Sequence, residues 1–154
     1  MTGVIEPRVT LVRTAAEMAD ALAVRRAVFI DEQGVAQHEE IDAHDGAPDE
    51  VSSAVHVVAY VAGQPVAAGR LLLGTPGEDA HIGRVAVLRA ARGRGYGRAV
   101  MLALQAEARR RGFPGITLAS QLHAIPFYER LGYVVHGDVF LDAGIEHRRM
   151  DLRL

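Results

Sequence analysis

His81-Ile82-Gly83-Arg84-Val85-Ala86-Val87, then Arg92-Gly93-Arg94-Gly95-Tyr96-Gly97, then an amphipathic run to Arg111 stopped by Gly112: this stretch decides the fold of the chain. It reads as strand, glycine-rich turn and helix. Three alternating glycines let the backbone enter conformations closed to residues with a β-carbon, so that several N–H groups converge on one spot. The helix, expected to start near Arg98, adds unsatisfied N-terminal donors and the positive end of its dipole. Arg92, Arg94 and Arg98 add full charges. A diphosphate suits such a nest.

Two other phosphate loops are excluded by spacing. The glycines follow G-x-G-x-G, whereas the dinucleotide fingerprint is G-x-G-x-x-G with an acidic residue about 20 positions on. A P-loop needs Gly-Lys before Ser or Thr, and every one of the 17 basic residues here is Arg.

Working outward, Val9 to Val12 is β-prone, and Thr14 stands three residues before Glu17 as an N-cap. A helix is expected from Ala15 to Phe29, with Met18, Leu22, Arg25 and Phe29 on one side and Arg25 snorkelling at the core's edge. Ile30 to Glu50 carries eight carboxylates and little periodicity, and reads as a loop. Ser53 to Ala62 and Val66 to Leu73 form a hairpin around Gly63-Gln64-Pro65. After the glycine loop, Val100, Leu104 and Ala108 repeat at helical spacing opposite Arg98, Gln105 and Arg109. Ile116 to Ser120 is a strand parallel to the one at His81, because a helix connects them. A short helix from Leu122 to Leu131 tolerates Pro126 only in its first turn, and Tyr133 to Leu141 and Glu146 to Leu154 are two more strands. The fold class is α/β (α+β), with a mixed sheet, the parallel pair near its middle and helices on both faces.

Length and composition set bounds. The 154 residues, without internal repeats, indicate a single domain spanning 1–154. No apolar run reaches the length of a membrane span, and Met1 to Arg13 lacks the apolar centre of a signal peptide, so a cytoplasmic location is expected. The absence of Cys removes disulfides, thiolate metal sites and cysteine nucleophiles, and the absence of Lys removes Schiff-base chemistry. A net charge of −2 offers no bulk attraction to nucleic acid or anionic membranes. No metal is expected, since His38, Glu39, His44 and Asp45 lack ligand spacing on a confident helix.

The glycine loop resembles the coenzyme A loop of the GCN5-related N-acetyltransferase (GNAT) superfamily. Its pattern of Gln or Arg, two residues, Gly, one residue, Gly or Ala is met by Arg92, Gly95 and Gly97. About 30 residues later, Ala124-Ile125-Pro126-Phe127-Tyr128-Glu129-Arg130-Leu131-Gly132-Tyr133 resembles the superfamily's Ala-x-x-Phe-Tyr-Glu-x-Leu-Gly-Phe segment. Arg25 to Val35, Glu40 with Asp42, and Gly144-Ile145 ahead of His147 and Met150 resemble the smaller ElaA-like subgroup.

That resemblance implies acetyl-CoA as co-substrate and direct acetyl transfer to a primary amine of a small molecule or peptide, with a homodimer left open. Backbone of Val85, Ala86 and Val87 would polarise the thioester and pair with the pantetheine arm. Arg92, Gly93, Arg94, Gly95, Tyr96, Gly97 and Arg98 would hold the phosphates, and Gln121 and Phe127 would flank the cofactor. Tyr128 would protonate the leaving thiolate. His81, expected on the same strand face as Val85 and Val87, competes with Glu32 and His147 as general base, and water is a further route. The acidic run from Asp31 to Glu50 would draw a cationic acceptor. The reading from another class is an acyl-CoA-binding module without turnover, and Tyr128 is what separates the two.

Overall fold

The computed structural model describes residues 5–154; the first four residues of the segment read for a signal peptide lie outside it. Seven strands form one sheet in the order β1-β2-β3-β4-β5-β7-β6. The strands are β1 (Arg8–Leu11), β2 (Ala54–Val61), β3 (Gln64–Leu72), β4 (Ala80–Val87), β5 (Gly115–Gln121), β6 (Val134–Asp142) and β7 (Ile145–Arg153). The helices are α1 (Ala15–Arg25), α2 (Gln37–Glu40), α3 (Tyr96–Arg110) and α4 (Ile125–Arg130). Every neighbouring pair is antiparallel except β4 and β5, at the centre.

Helices cover opposite faces because adjacent strand residues point to opposite sides. Val57, Ala59, Ala67 and Leu71 pack with Val100, Met101, Leu104 and Ala108 of α3. Val58, Tyr60 and Ala68 pack with Met18, Ala21 and Val24 of α1. Leu71, Met101 and Leu104 are fully buried, each worth roughly 1.5–3 kcal/mol relative to exposure. Gly69 sets the close approach of α3, since a Cβ there would stand 2.7 Å from Val100 Cγ1.

Local chemistry explains the ends. Thr14 Oγ1 accepts the Glu17 N–H at 3.1 Å while Glu17 Oε1 accepts the Arg13 N–H at 2.8 Å, which fixes the start of α1. Instead of running regularly to Phe29, that helix widens after Arg25 into a π-helical segment, Arg26–Glu32. Pro126 falls in the first turn of α4. Helix α3 begins at Tyr96, two residues before the expected start, and Gln105, placed on its polar side by periodicity, is buried and accepts the Tyr133 hydroxyl proton at 2.9 Å.

Two irregularities in β4 shape the molecule. Its pairing with β5 is confined to Ala80↔Ile116 and His81↔Thr117, so the two central strands part beyond that point. Against β3 the register shifts by one between Ala68↔Ala86 and Arg70↔Gly83, a bulge at which Arg84 takes φ +54°. The extra residue reverses the alternation: Ile82 packs on the α3 side, whereas Ala86 packs on the α1 side. His81 therefore faces the side opposite Val85 and Val87, not the same side as simple alternation requires.

Candidate active site

Where β4 and β5 part, a cavity of about 1010 Å³ runs through the sheet. Val87, Gly97, Phe127 and Tyr128 line it on the α3 side, and His81, Gly83, Gln121, His147 and Arg149 on the other. The segment Glu32 to Val35 crosses its mouth, with Gln33 and Gln121 exchanging side-chain amide hydrogen bonds at 2.9 and 3.5 Å.

On the α3 side the glycine turn is built as a donor cradle. Gly93 and Gly95 sit at φ +79° and +84°, and Gly95 is the N-cap of α3 with no side chain to satisfy the first-turn amides. Arg94 and Arg98 are exposed beside it. The Tyr96 ring is buried in the core, so only its backbone N–H is on offer there. Arg92 is committed elsewhere: its guanidinium grips both Glu32 oxygens at 2.7 and 2.8 Å, and its Nε donates to the Val87 carbonyl at 3.0 Å. Gly97 stands where a Cβ would touch Val87 at 3.4 Å and Phe127 at 3.5 Å.

Of the residues singled out from sequence, Glu32, His81, Val85, Ala86, Val87, Arg92, Gly97, Gln121, Phe127 and Tyr128 share the cavity wall. Gly93, Arg94, Gly95, Tyr96 and Arg98 do not line it and stand beside Arg92 and Gly97, which do. Tyr128 packs edge-on against Phe127 and Tyr133 at ring-centroid distances of 4.9 and 5.9 Å. Burial alone pushes its phenol up to about 12. Glu32 is a poor base for chemistry near neutrality, because the hydrogen bonds from Arg92 hold its carboxyl below the ordinary glutamate value.

The acidic segment departs most from expectation. Arg25 does not snorkel; it is 1% exposed. It donates to Glu40 Oε1 at 2.9 Å and to both Asp45 oxygens at 2.6 and 2.9 Å. Arg70 from β3 grips Asp42 at 2.8 and 2.9 Å and reaches Asp45 at 3.2 Å. Arg84 pairs with Glu40 at 3.2 Å and caps the Glu39 and Glu40 carbonyls. Three guanidinium groups thus match three carboxylates, and Glu32 is matched by Arg92. Half of the run's eight carboxylates are neutralised by partners from α1, β3, β4 and the glycine loop, which halves the charge that was to draw a cation.

Burial opposes the charges of Arg25 and Asp45, but their mutual hydrogen bonds and attraction outweigh it, so the arginine is raised and the carboxyl held well below its usual range. Burial lowers His56, whose Nε2 donates to the His44 carbonyl at 2.8 Å. Two atoms of this cluster, Glu40 Oε2 and Arg70 Nε, are buried without a hydrogen-bond partner among the described residues.

Gln33, Arg84, Ala119, His123 and Arg149 also line the cavity but were not assigned to the site from sequence. Gln33 lay within the quoted Arg25 to Val35 motif, a usable signal. Nothing in the sequence marks the left-handed backbone of Arg84.

With this geometry in place, the comparisons with known proteins are consistent with it. The family model described as an acetyltransferase (GNAT) domain matches residues 28–154. The uncharacterized N-acetyltransferase YjcF of Bacillus subtilis (strain 168) is 35% identical over 146 residues, covering 93% of this chain and 97% of that protein. An acyl-CoA N-acyltransferase from Pseudomonas aeruginosa has a similar structure, with a TM-score of 0.77 and 29% identity over 95% of this chain and 99% of that one. Escherichia coli ElaA gives 0.78 and 25% over 95% and 99%. The chain belongs to the GNAT acetyltransferase family.

Proposed function

We propose that this enzyme transfers the acetyl group of acetyl-CoA directly to a primary amine of a small molecule or peptide. The observation that carries the reading is the cavity where β4 and β5 part, walled by Arg92 and Gly97 of the glycine turn and, on the opposite face of the sheet, by His81, His147 and Arg149. Diphosphate binds the free amides from Gly93 to Arg98, with Arg94 and Arg98 supplying charge. The edge of β4 at Val85, Ala86 and Val87 that faces away from β3, no longer paired with β5, accepts the pantetheine arm and polarises the thioester carbonyl. Arg92 acts indirectly, by holding Glu32 and the end of β4 in place. The acceptor approaches from the face carrying His81, His147 and Arg149.

The amine nitrogen attacks the carbonyl carbon, the C–N bond forms, the C–S bond breaks, and Tyr128 donates a hydrogen bond to the departing sulfur. Burial, which pushes the phenol up to about 12, makes it a weaker acid than an exposed tyrosine. The tyrosine therefore stabilises the thiolate while remaining protonated, and solvent completes the transfer.

The test is a melting curve of the purified chain with acetyl-CoA, NAD or ATP, followed by thiol release from acetyl-CoA across a panel of amines. Acetyl-CoA is expected to raise the melting temperature most, and at least one amine to accelerate thiol release. Stabilisation without release by any amine would leave only an acyl-CoA-binding module.

A further inference from the structure

An ammonium group loses two protons on becoming an amide: one ends on the sulfur of coenzyme A and the other in solvent. We propose that Nε2 of His147 receives the solvent-bound proton as the amine attacks. The assignment rests on the transfer reading above and supplies the base that it lacks.

Of the side chains on the cavity wall with the chemistry for the task, His123 is exposed after β5 with no side-chain hydrogen bond among the described residues to orient it, and three more were singled out from sequence. Glu32 is occupied on both oxygens by Arg92. His81 is exposed, at the last β4–β5 pair before the strands part, and no side-chain hydrogen bond among the described residues orients its ring. His147 differs from both. It is 8% exposed, and its Nδ1 lies 2.7 Å from the Ile145 carbonyl oxygen.

A carbonyl oxygen only accepts, so Nδ1 carries the hydrogen and the neutral ring keeps its lone pair on Nε2. Phe140 stacks on the imidazole at 6.0 Å and 28°, and the β5–β7 register sets it opposite Gln121, on the acceptor side of the sheet. The ring is thus locked in one tautomer with one nitrogen open. The same Nδ1–H bond persists when Nε2 is protonated, so it supports the imidazolium that forms. After product leaves, Nε2 returns its proton to solvent.

The charged and titratable groups that share this part of the cavity are Arg149 on β7, Asp142 on β6, His123 after β5, His81 and Arg84 on β4, Arg70 on β3, and Glu32, Glu39 and Glu40 from the crossing segment and α2. Arg149 lies over the Phe140 ring at 5.3 Å. From β5 come the uncharged Leu118, Ala119 and Gln121.

The experiment measures amine-dependent thiol release by the full chain from about pH 5.5 to about pH 9.5, a range that brackets imidazole ionisation. His147→Gln is expected to lower turnover at neutral pH by about 10²–10⁴-fold and to erase the acidic limb of the profile, with acetyl-CoA stabilisation unchanged. The control His136→Gln, outside the cavity and paired with Asp151 at 2.8 Å, is expected to keep the limb. In the wild-type chain, ¹H–¹⁵N correlation of the histidine rings is expected to show the neutral form of the His147 ring with its hydrogen on Nδ1. This readout needs neither variant nor turnover.

An unchanged limb in His147→Gln, or a neutral ring protonated on Nε2, overturns the assignment and leaves the transfer reading standing. Wild-type protein that binds acetyl-CoA yet releases thiol with no amine overturns both.

Discussion

Asp45→Asn tests the buried charge cluster. The Asp45 side chain is fully buried and accepts from Arg25 at 2.6 and 2.9 Å, from Arg70 at 3.2 Å and from the Asp42 N–H at 2.9 Å. Asparagine keeps the volume but removes the charge and turns an NH₂ group toward guanidinium donors, leaving three guanidinium groups, two of them buried, facing two carboxylates. Breaking a buried pair from one side costs about 3–5 kcal/mol. For a chain of this size, each kcal/mol moves the melting temperature by roughly 2–4 °C, so a drop of about 6–20 °C is expected at neutral pH.

The pH dependence supplies a second check. Asp45 is held below its unfolded value of 3.8 by Arg25 despite the opposing effect of burial. Its contribution is therefore full above about pH 4 and is lost as pH falls through the lower folded value. Calorimetric scans should show the gap between wild type and variant widest at pH 7 and narrowing below about pH 4. A gap under ~1 kcal/mol at pH 7, the scale of an exposed pair, or a gap that does not narrow in acid, would refute the reasoning.

Three shorter predictions follow from the site. Gly95→Val forces a β-branched residue into the left-handed backbone at the N-cap of α3, and is expected to abolish acetyl-CoA stabilisation while the far-UV spectrum is retained; an unchanged shift removes the loop from the cofactor site. Tyr128→Phe should lower kcat by about 10–100-fold with little change in acetyl-CoA affinity, as read by steady-state kinetics and titration calorimetry. Glu32→Gln should weaken acetyl-CoA binding by freeing Arg92, yet leave the acidic limb of the pH–rate profile in place. Arg92 keeps that carboxylate ionised throughout the working range.

The sequence and the structure agree where a local signal is also the global one. Glycine alternation before an amphipathic run specifies the β4–α3 turn, and a helix between two strands specifies their parallel pairing. Gln105 and Arg25 defeat the same reasoning, since periodicity describes an isolated helix and their partners, Tyr133 and Asp45, arrive from 28 and 20 residues away. The acidic run shows the same limit: its charges are visible in sequence, but the arginines that cancel them are contributed by other elements. His81 was placed at the right strand position and on the wrong face, because a one-residue bulge leaves no compositional mark. Tyr128 was legible as a residue but not as an acid strength, which its desolvation sets.

The bulge at Arg84 has a consequence for how β4 divides its labour. A regular strand shows one set of side chains to each side along its whole length, so a wall built for one ligand continues past the place where a second must begin. The single added residue acts as a half-period phase slip. Upstream of it, His81 and Gly83 furnish one chamber; downstream, Val85 and Val87 furnish the other. Removing Arg84 would restore strict alternation and turn the upstream half of the strand inside out relative to the downstream half. Two walls would then be lost through one deletion, with every side chain on them chemically unchanged.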